Sequence, residues 1–97
     1  MKRIRLNGKH GKGQYALIDN HDFVRVFVYN WHLRKDGKNR VVIRYYKTIK
    51  NGITKNHRQT LHSLIMDNDA AQYLHIDDNP LNCQKKNLVK LRLKNAK

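Results

Sequence analysis

Acidic residues are scarce in this chain. Asp and Glu total 7 against 21 Lys and Arg, a formal net charge of +14. Self-repulsion at that density is tolerated most easily when the partner is a polyanion, so nucleic acid is the expected partner class. Cysteine occurs once, at Cys83, which excludes an intrachain disulfide framework and any Cys-x-x-Cys zinc site and fits a reducing compartment. No apolar run approaches the ~20 residues of a membrane span. The basic N-terminus, MKRIRLNGKHGKG, lacks the apolar centre of a signal peptide, so no targeting segment and no membrane are expected. Common catalytic templates are missing too. The serines form no nucleophile elbow, the histidines have no His-x-x-x-His spacing, and Gly8, Gly11 and Gly13 precede no helix that would make a phosphate-binding loop.

What is present suffices for one small domain of 97 residues. A chain of this length buries only roughly 60–65% of its unfolded surface, so the core is modest. Met1–Leu6 alternates basic and apolar residues and reads as a strand. Asn7–Gly13 is a basic, glycine-rich loop, and Gln14–Ile18 a second strand. Asp19–Asn30 carries both periods. Its β-branched and aromatic residues suit a strand, but Phe23, Val26, Phe27 and Trp31 also form a helical stripe, with Asn20 as a candidate cap. Trp31–Arg34, Val41–Tyr46 and Ile53–Leu61 read as strands, joined by Asp36-Gly37 and Asn51-Gly52 turn signals. His62–Met66 reads as one or two helical turns, Asp67–Ala71 as a polar loop, Asn82–Lys86 as a short helix and Asn87–Leu93 as a last strand. Four or five short antiparallel strands thus precede residue 62.

Most of the chemistry is concentrated in Leu74–Leu88, LHIDDNPLNCQKKNL. Asn79-Pro80 is a turn signal, because proline fixes its own φ and biases its predecessor to extended geometry. A strand over Tyr73–Ile76 would therefore enter a turn at Asp77–Pro80. Cutting a phosphodiester needs a base to activate water and a positive charge to stabilise the developing anion. His75 is the candidate base; the alternative is a structural histidine bridging the hairpin. Asp77, two residues on, shares its strand face and could offer an oxygen to a divalent cation. Its alternative is turn chemistry.

This stretch resembles the HNH endonuclease motif of phage and homing-type proteins. His75 falls on the motif's first histidine, Asp77-Asp78-Asn79 on its turn, Leu81 on its leucine, and Asn87-Leu88 on its Asn-Leu. Upstream, Leu61-His62-Ser63-Leu64-Ile65-Met66 is similar to the helix that precedes the motif. Tyr15-Ala16-Leu17-Ile18-Asp19 with Trp31-His32-Leu33 is similar to the family's N-terminal, AP2-like sheet. The resemblance favours a helix within Asp19–Asn30. It implies an α+β fold: a small antiparallel N-terminal sheet with a short helix over residues 1–61, followed by a ββα-metal (HNH-like) hairpin–helix unit over 62–97. It also implies His75 as general base, Asn87 as the residue that orients its imidazole, and Mg2+ or another divalent metal if the protein is active. Several positions depart from the family. Leu74 stands where the family has a metal-binding Asp, Asp78 where it has the turn glycine, Asn82-Cys83-Gln84 where it has Asp-Asn-Arg, and Val89 where it has arginine. A further ligand that some members carry would fall near Asn95 or Ala96. These departures imply that catalysis is weak or lost.

Candidate phosphate contacts are Lys2, Arg3, Arg5 and Lys12 at the N-terminus, Arg34, Lys38, Arg40 and Arg44 around the central hairpin, and Lys85 and Lys86 late in the chain. A basic sheet of this kind suits a major groove. Tyr29, Tyr45 and Tyr46 could stack on bases, with core packing the expectation for at least two of them. Three functions compete: a DNA-binding protein with a lapsed HNH site, an active nicking endonuclease, and a phage-type inhibitor that blocks a nucleoprotein complex such as a CRISPR effector. DNA is favoured over RNA. The expected setting is the cytoplasm of a bacterial host, the protein being encoded by a phage or mobile element.

Overall fold

A computed structural model describes residues 1–68 and 72–91, with the backbone alone at Asp36. Strand β1 (Lys2–Asn7) buries Ile4 and Leu6 and leaves Arg3 and Arg5 on its solvent side, as its alternation requires. It pairs antiparallel with β2 (Tyr15–Ile18), Lys2 facing Ile18 and Arg5 facing Tyr15. The glycine-rich turn between them folds tightly back, and a Cβ at Gly11 would collide with the Asn7 carbonyl. A 3-10 turn (Asn20–Asp22) and helix α1 (Phe23–Phe27) follow. The two-period segment therefore does become helical, over five residues. Asn20 is not its cap: Asp19 precedes the turn in extended geometry, without a side-chain cap bond. Trp31 settles the outcome. It is fully buried and donates its indole N–H to the Val26 carbonyl at 2.8 Å, so the helix must lie over the sheet.

Strand β3 (Trp31–Asp36) then joins the other edge of β1 in parallel, Leu6 opposite Trp31 and Asn7 opposite His32. The sheet order is β2-β1-β3-β4-β5, and the sheet is mixed, where a wholly antiparallel one was expected. The physical reason is the crossover. The turn and α1 carry the chain over the sheet and return it running the same way as β1, which a hairpin cannot do. Strands β4 (Asn39–Lys50) and β5 (Ile53–Thr60) form a long hairpin, with Asn51 at φ 53° and Gly52 at φ 76°, as a type I′ turn requires. β3 covers β4 only as far as Ile43, so Arg44–Lys50 pairs with β5 alone and forms a two-stranded arm beyond the sheet.

Helix α2 (Leu61–Met66) is capped by Thr60, whose Oγ1 accepts from the Ser63 amide at 3.4 Å. It ends at Asp67 in the left-handed region. Strands β6 (Tyr73–His75) and β7 (Leu88–Lys90) form a separate antiparallel pair, joined by residues 76–87. The expected helix within that connection is shorter and later, a 3-10 turn over Lys85–Asn87. The connection docks on the free edge of β2. Leu17 donates to the Leu81 carbonyl at 2.7 Å and accepts from Cys83 N at 2.8 Å, and Leu81 and Cys83 bury their side chains. An exposed strand edge is thereby covered, and one hydrophobic core runs from Ile4, Leu6 and Trp31 through Leu61 and Ile65 to Leu88. Continuation of the last strand to Leu93, the tail from 95, and the position near Asn95 or Ala96 lie outside the described residues, as do residues 69–71 of the expected polar loop. So does any helix after β7. Among the described residues no helix is long and apolar enough to cross a membrane.

Candidate functional site at the His75 hairpin

β6 ends at His75, opposite Leu88 of β7. Asp78 N closes the turn on the His75 carbonyl at 2.9 Å. Asp78 has φ 59°, the left-handed geometry that a glycine would take there, and Asp is among the few side chains that tolerate it. Asp77 staples the loop. Its Oδ1 accepts from Asn79 N and Asn87 Nδ2, both at 2.9 Å, and its Oδ2 from Asn82 Nδ2 at 2.9 Å. Asn87 is buried and answers from the other side. Its Oδ1 accepts from Asp77 N at 3.1 Å, and its Nδ2 also donates to the Asn82 carbonyl at 2.9 Å.

That carbonyl is the hub, because His75 Nδ1 lies 2.9 Å from it. A carbonyl only accepts, so Nδ1 carries the hydrogen. The neutral ring then keeps its lone pair on Nε2, the state a general base needs. Asn87 makes no hydrogen bond to the imidazole, contrary to the direct contact expected. It bonds the same carbonyl that the ring bonds, so its link to the imidazole is one step removed. Asn82, read in the sequence only as a departure from the motif and the start of a short helix, supplies the contact through its backbone. No side-chain signal could have announced that.

The surroundings do not fit a hard dication. Leu74, 54% exposed, faces Val89 across the hairpin, and neither it nor the exposed Ile76 just past the strand offers an oxygen donor. The Asp77 carboxylate is engaged by loop amides. The Asn82 side chain, then the Asn79 backbone and the Asn87 side chain hold its pKa below the ordinary carboxylate value. Among the described residues, no set of three imidazole, thiol or carboxylate donors converges at His75. The ligand role expected of Asp77 therefore finds no supporting geometry.

His62 enters from α2. Its ring meets His75 edge-on with centroids 5.7 Å apart and meets Tyr73 at 5.8 Å. Burial, and secondarily the neighbouring His75, push its pKa down to about 4, so it stays neutral at physiological pH. Cys83 is inert: burial pushes its thiol up to about 12.

A groove of about 510 Å³ along the hairpin is lined by Lys38, Arg40, Leu74, His75, Ile76 and Asp78. Arg40 also borders a second concavity with Arg34 and Arg58. Two expected phosphate contacts, Lys38 and Arg40, thus share a groove with His75. Arg3 and Arg5 share another shallow concavity with Phe27 and Tyr29. Lys2 sits over the Phe23 ring, while Lys12 and Lys86 are exposed. Arg3 lies over the Tyr15 ring, and Arg44 and Lys85 have closer internal partners. The Arg44 guanidinium lies 3.9 Å from the Tyr29 ring centroid and 4.4 Å from that of Tyr46, and donates to Gln59 Oε1 at 2.9 Å. Lys85 Nζ is 3.4 Å from Asp22 Oδ1. Core packing, expected for at least two of these tyrosines, does not occur: Tyr29, Tyr45 and Tyr46 are all exposed. Comparison of the chain with family models, with curated proteins and with solved structures returns no match.

Proposed function

We propose that this protein binds nucleic acid, DNA in preference to RNA, on an HNH-endonuclease-like scaffold whose phosphodiesterase site is degenerate. The observation that carries the reading is the hairpin-end imidazole. His75 has its Nδ1 hydrogen fixed by the Asn82 carbonyl and sits in a groove with Lys38 and Arg40. In such an arrangement Nε2 can take a proton from a water aligned on a phosphorus, and the two cations can hold the phosphate. What is lacking is an anionic anchor at position 74, so stabilisation of the leaving oxygen falls short. Binding rests on charge, and cleavage is slow or absent.

Fluorescence anisotropy with a short labelled duplex, and with an RNA of the same sequence, tests the first part. Affinity should fall by about a thousandfold or more between 50 and 200 mM salt, as expected when six or more phosphates are neutralised. Affinity independent of salt would refute the electrostatic account. Plasmid nicking with Mg2+ or Mn2+ tests the second part. Robust nicking that His75→Ala abolishes would establish the active endonuclease instead. Weak binding to free DNA with tight capture of a nucleoprotein complex would establish the inhibitor.

A further inference from the structure

A second polar cluster lies where the Asn20–Asp22 turn meets the late end of the 76–87 loop. Asp22 is 1% exposed. Its Oδ1 accepts from Arg25 Nε at 3.3 Å and Nη2 at 3.1 Å. Its Oδ2 is buried and has no hydrogen-bond partner among the described residues. A buried carboxylate oxygen without a donor is costly and calls for a compensating charge. That oxygen lies 3.9 Å from His21 Nε2. Asp19, His21 and Asp22 each offer a ligand atom within 4.8 Å of the other two, and no other such trio occurs among the described residues.

Lys85 shows what the cluster prefers. Its Nζ stands 3.2 Å from His21 Nε2 and 3.4 Å from Asp22 Oδ1. An ammonium only donates, so the His21 nitrogen meets it with a lone pair. Two of the three donors already hold a positive charge. That charge sits on a flexible stem, 41% exposed, with a head that hydrates readily, so it can leave.

We infer that Asp19, His21 and Asp22 form a binding site for a first-row transition dication, Zn2+ foremost, which enters in exchange for the Lys85 ammonium. One imidazole and two carboxylates make a borderline donor set, better suited to Zn2+ than to Mg2+ or Ca2+. Ligand atoms around tetrahedral zinc lie about 3.4 Å apart, so the trio, within 4.8 Å, must close by up to about 1.4 Å. The His21 side chain, 69% exposed, can make that movement. One Asp19 oxygen accepts from Lys85 N at 3.0 Å, leaving the other for the ion. The site is separate from the His75 groove and does not depend on what that groove does.

Calorimetric titration of the metal-free full chain with ZnCl2 tests this, with His75→Ala as a control for the His62–His75 pair. One equivalent should bind in wild type and in His75→Ala. His21→Ala should bind at least about tenfold more weakly, the scale seen when even an outer-shell partner is lost. Lys85→Met should bind more tightly, because the competing ammonium is gone. NMR of wild type gives a variant-independent readout: zinc should shift the His21 ring signals and leave those of His75 in place. Absence of saturable binding, zinc shifts confined to other histidines, or unchanged affinity in His21→Ala would overturn the site. Unchanged or weaker binding by Lys85→Met would overturn the exchange.

Discussion

The two polar clusters satisfy their polar groups by opposite means. Around His75 the partners are amides: Asn82, Asn87, Asn79 and backbone groups converge on one carboxylate and one imidazole. Around Asp22 they are ions, with Arg25 and Lys85 on the same carboxylate. The amide network is directional, so it fixes one tautomer and one ring orientation. The ionic cluster is held by charge, which another cation can supply equally well. One arrangement suits geometry-dependent chemistry and the other suits exchange.

The largest effect should come from breaking the ionic side. Arg25 also reaches the carbonyls of Leu64 at 3.2 Å and Ile65 at 2.6 Å and the Asp67 carboxylate at 2.9 Å, so one side chain ties α1 to the end of α2. Arg25→Ala removes the main partner of a buried carboxylate. Loss of one member of a buried pair costs about 3–5 kcal/mol, and the partial exposure of Arg25 reduces this to about 2–3 kcal/mol. Urea unfolding measures it, and a cost below about 0.5 kcal/mol, the range of an ordinary surface change, would mean that Asp22 is compensated elsewhere.

On the amide side Asn87→Ala should cost about 1–2 kcal/mol, because Asp77 N and the Asn82 carbonyl each lose a partner. Its sharper readout is the His75 tautomer. Nitrogen-15 NMR should show the Nδ1–H form in wild type and a mixture in Asn87→Ala. Asn82→Ala removes a side chain but keeps the carbonyl, so it should retain the Nδ1–H form. If Asn87→Ala leaves the tautomer untouched, its indirect link to the imidazole does not set the tautomer.

His75, Asp77 and Asn87 could be singled out in the sequence, though not the contacts they make, and the ionic cluster could not be seen at all; the reason is separation along the chain. His75, Asp77, Asn82 and Asn87 lie in one short stretch where turn chemistry is local. Asp19 meets Lys85 across 66 residues, and nothing near Lys85 marks it as anything but another surface cation. The same holds for Arg44, whose aromatic partners Tyr29 and Tyr46 come from different elements. The hairpin at Asn51-Gly52 could be read because its positive φ values demand those residue types. The parallel seam between β1 and β3 could not, since it depends on where α1 carries the chain. Strand β4 outran its expected end at Tyr46 because its later residues are exposed on both faces and leave no burial pattern to read.

The smallest effect concerns the contact between the His75 site and α2. The folded His62 takes a proton only near pH 4, whereas an unfolded histidine does so near 6.5. Between those values the unfolded chain binds more protons than the folded one, so stability falls as pH drops through that window and levels off below it. The ring keeps some contact with solvent, so the loss should be smaller than that from either substitution above. The groups facing it are His75 and Tyr73, with Arg58 across the adjoining groove, and charging His62 sets a second cation against that arginine. Urea midpoints measured from pH 7.5 to 4 should therefore decline more in wild type than in His62→Gln, which keeps a polar side chain of similar reach without the titration. Parallel declines in the two proteins would show that the acid sensitivity arises elsewhere than at His62, and not at the Asp77 staple, whose depressed pKa places its own loss below this range.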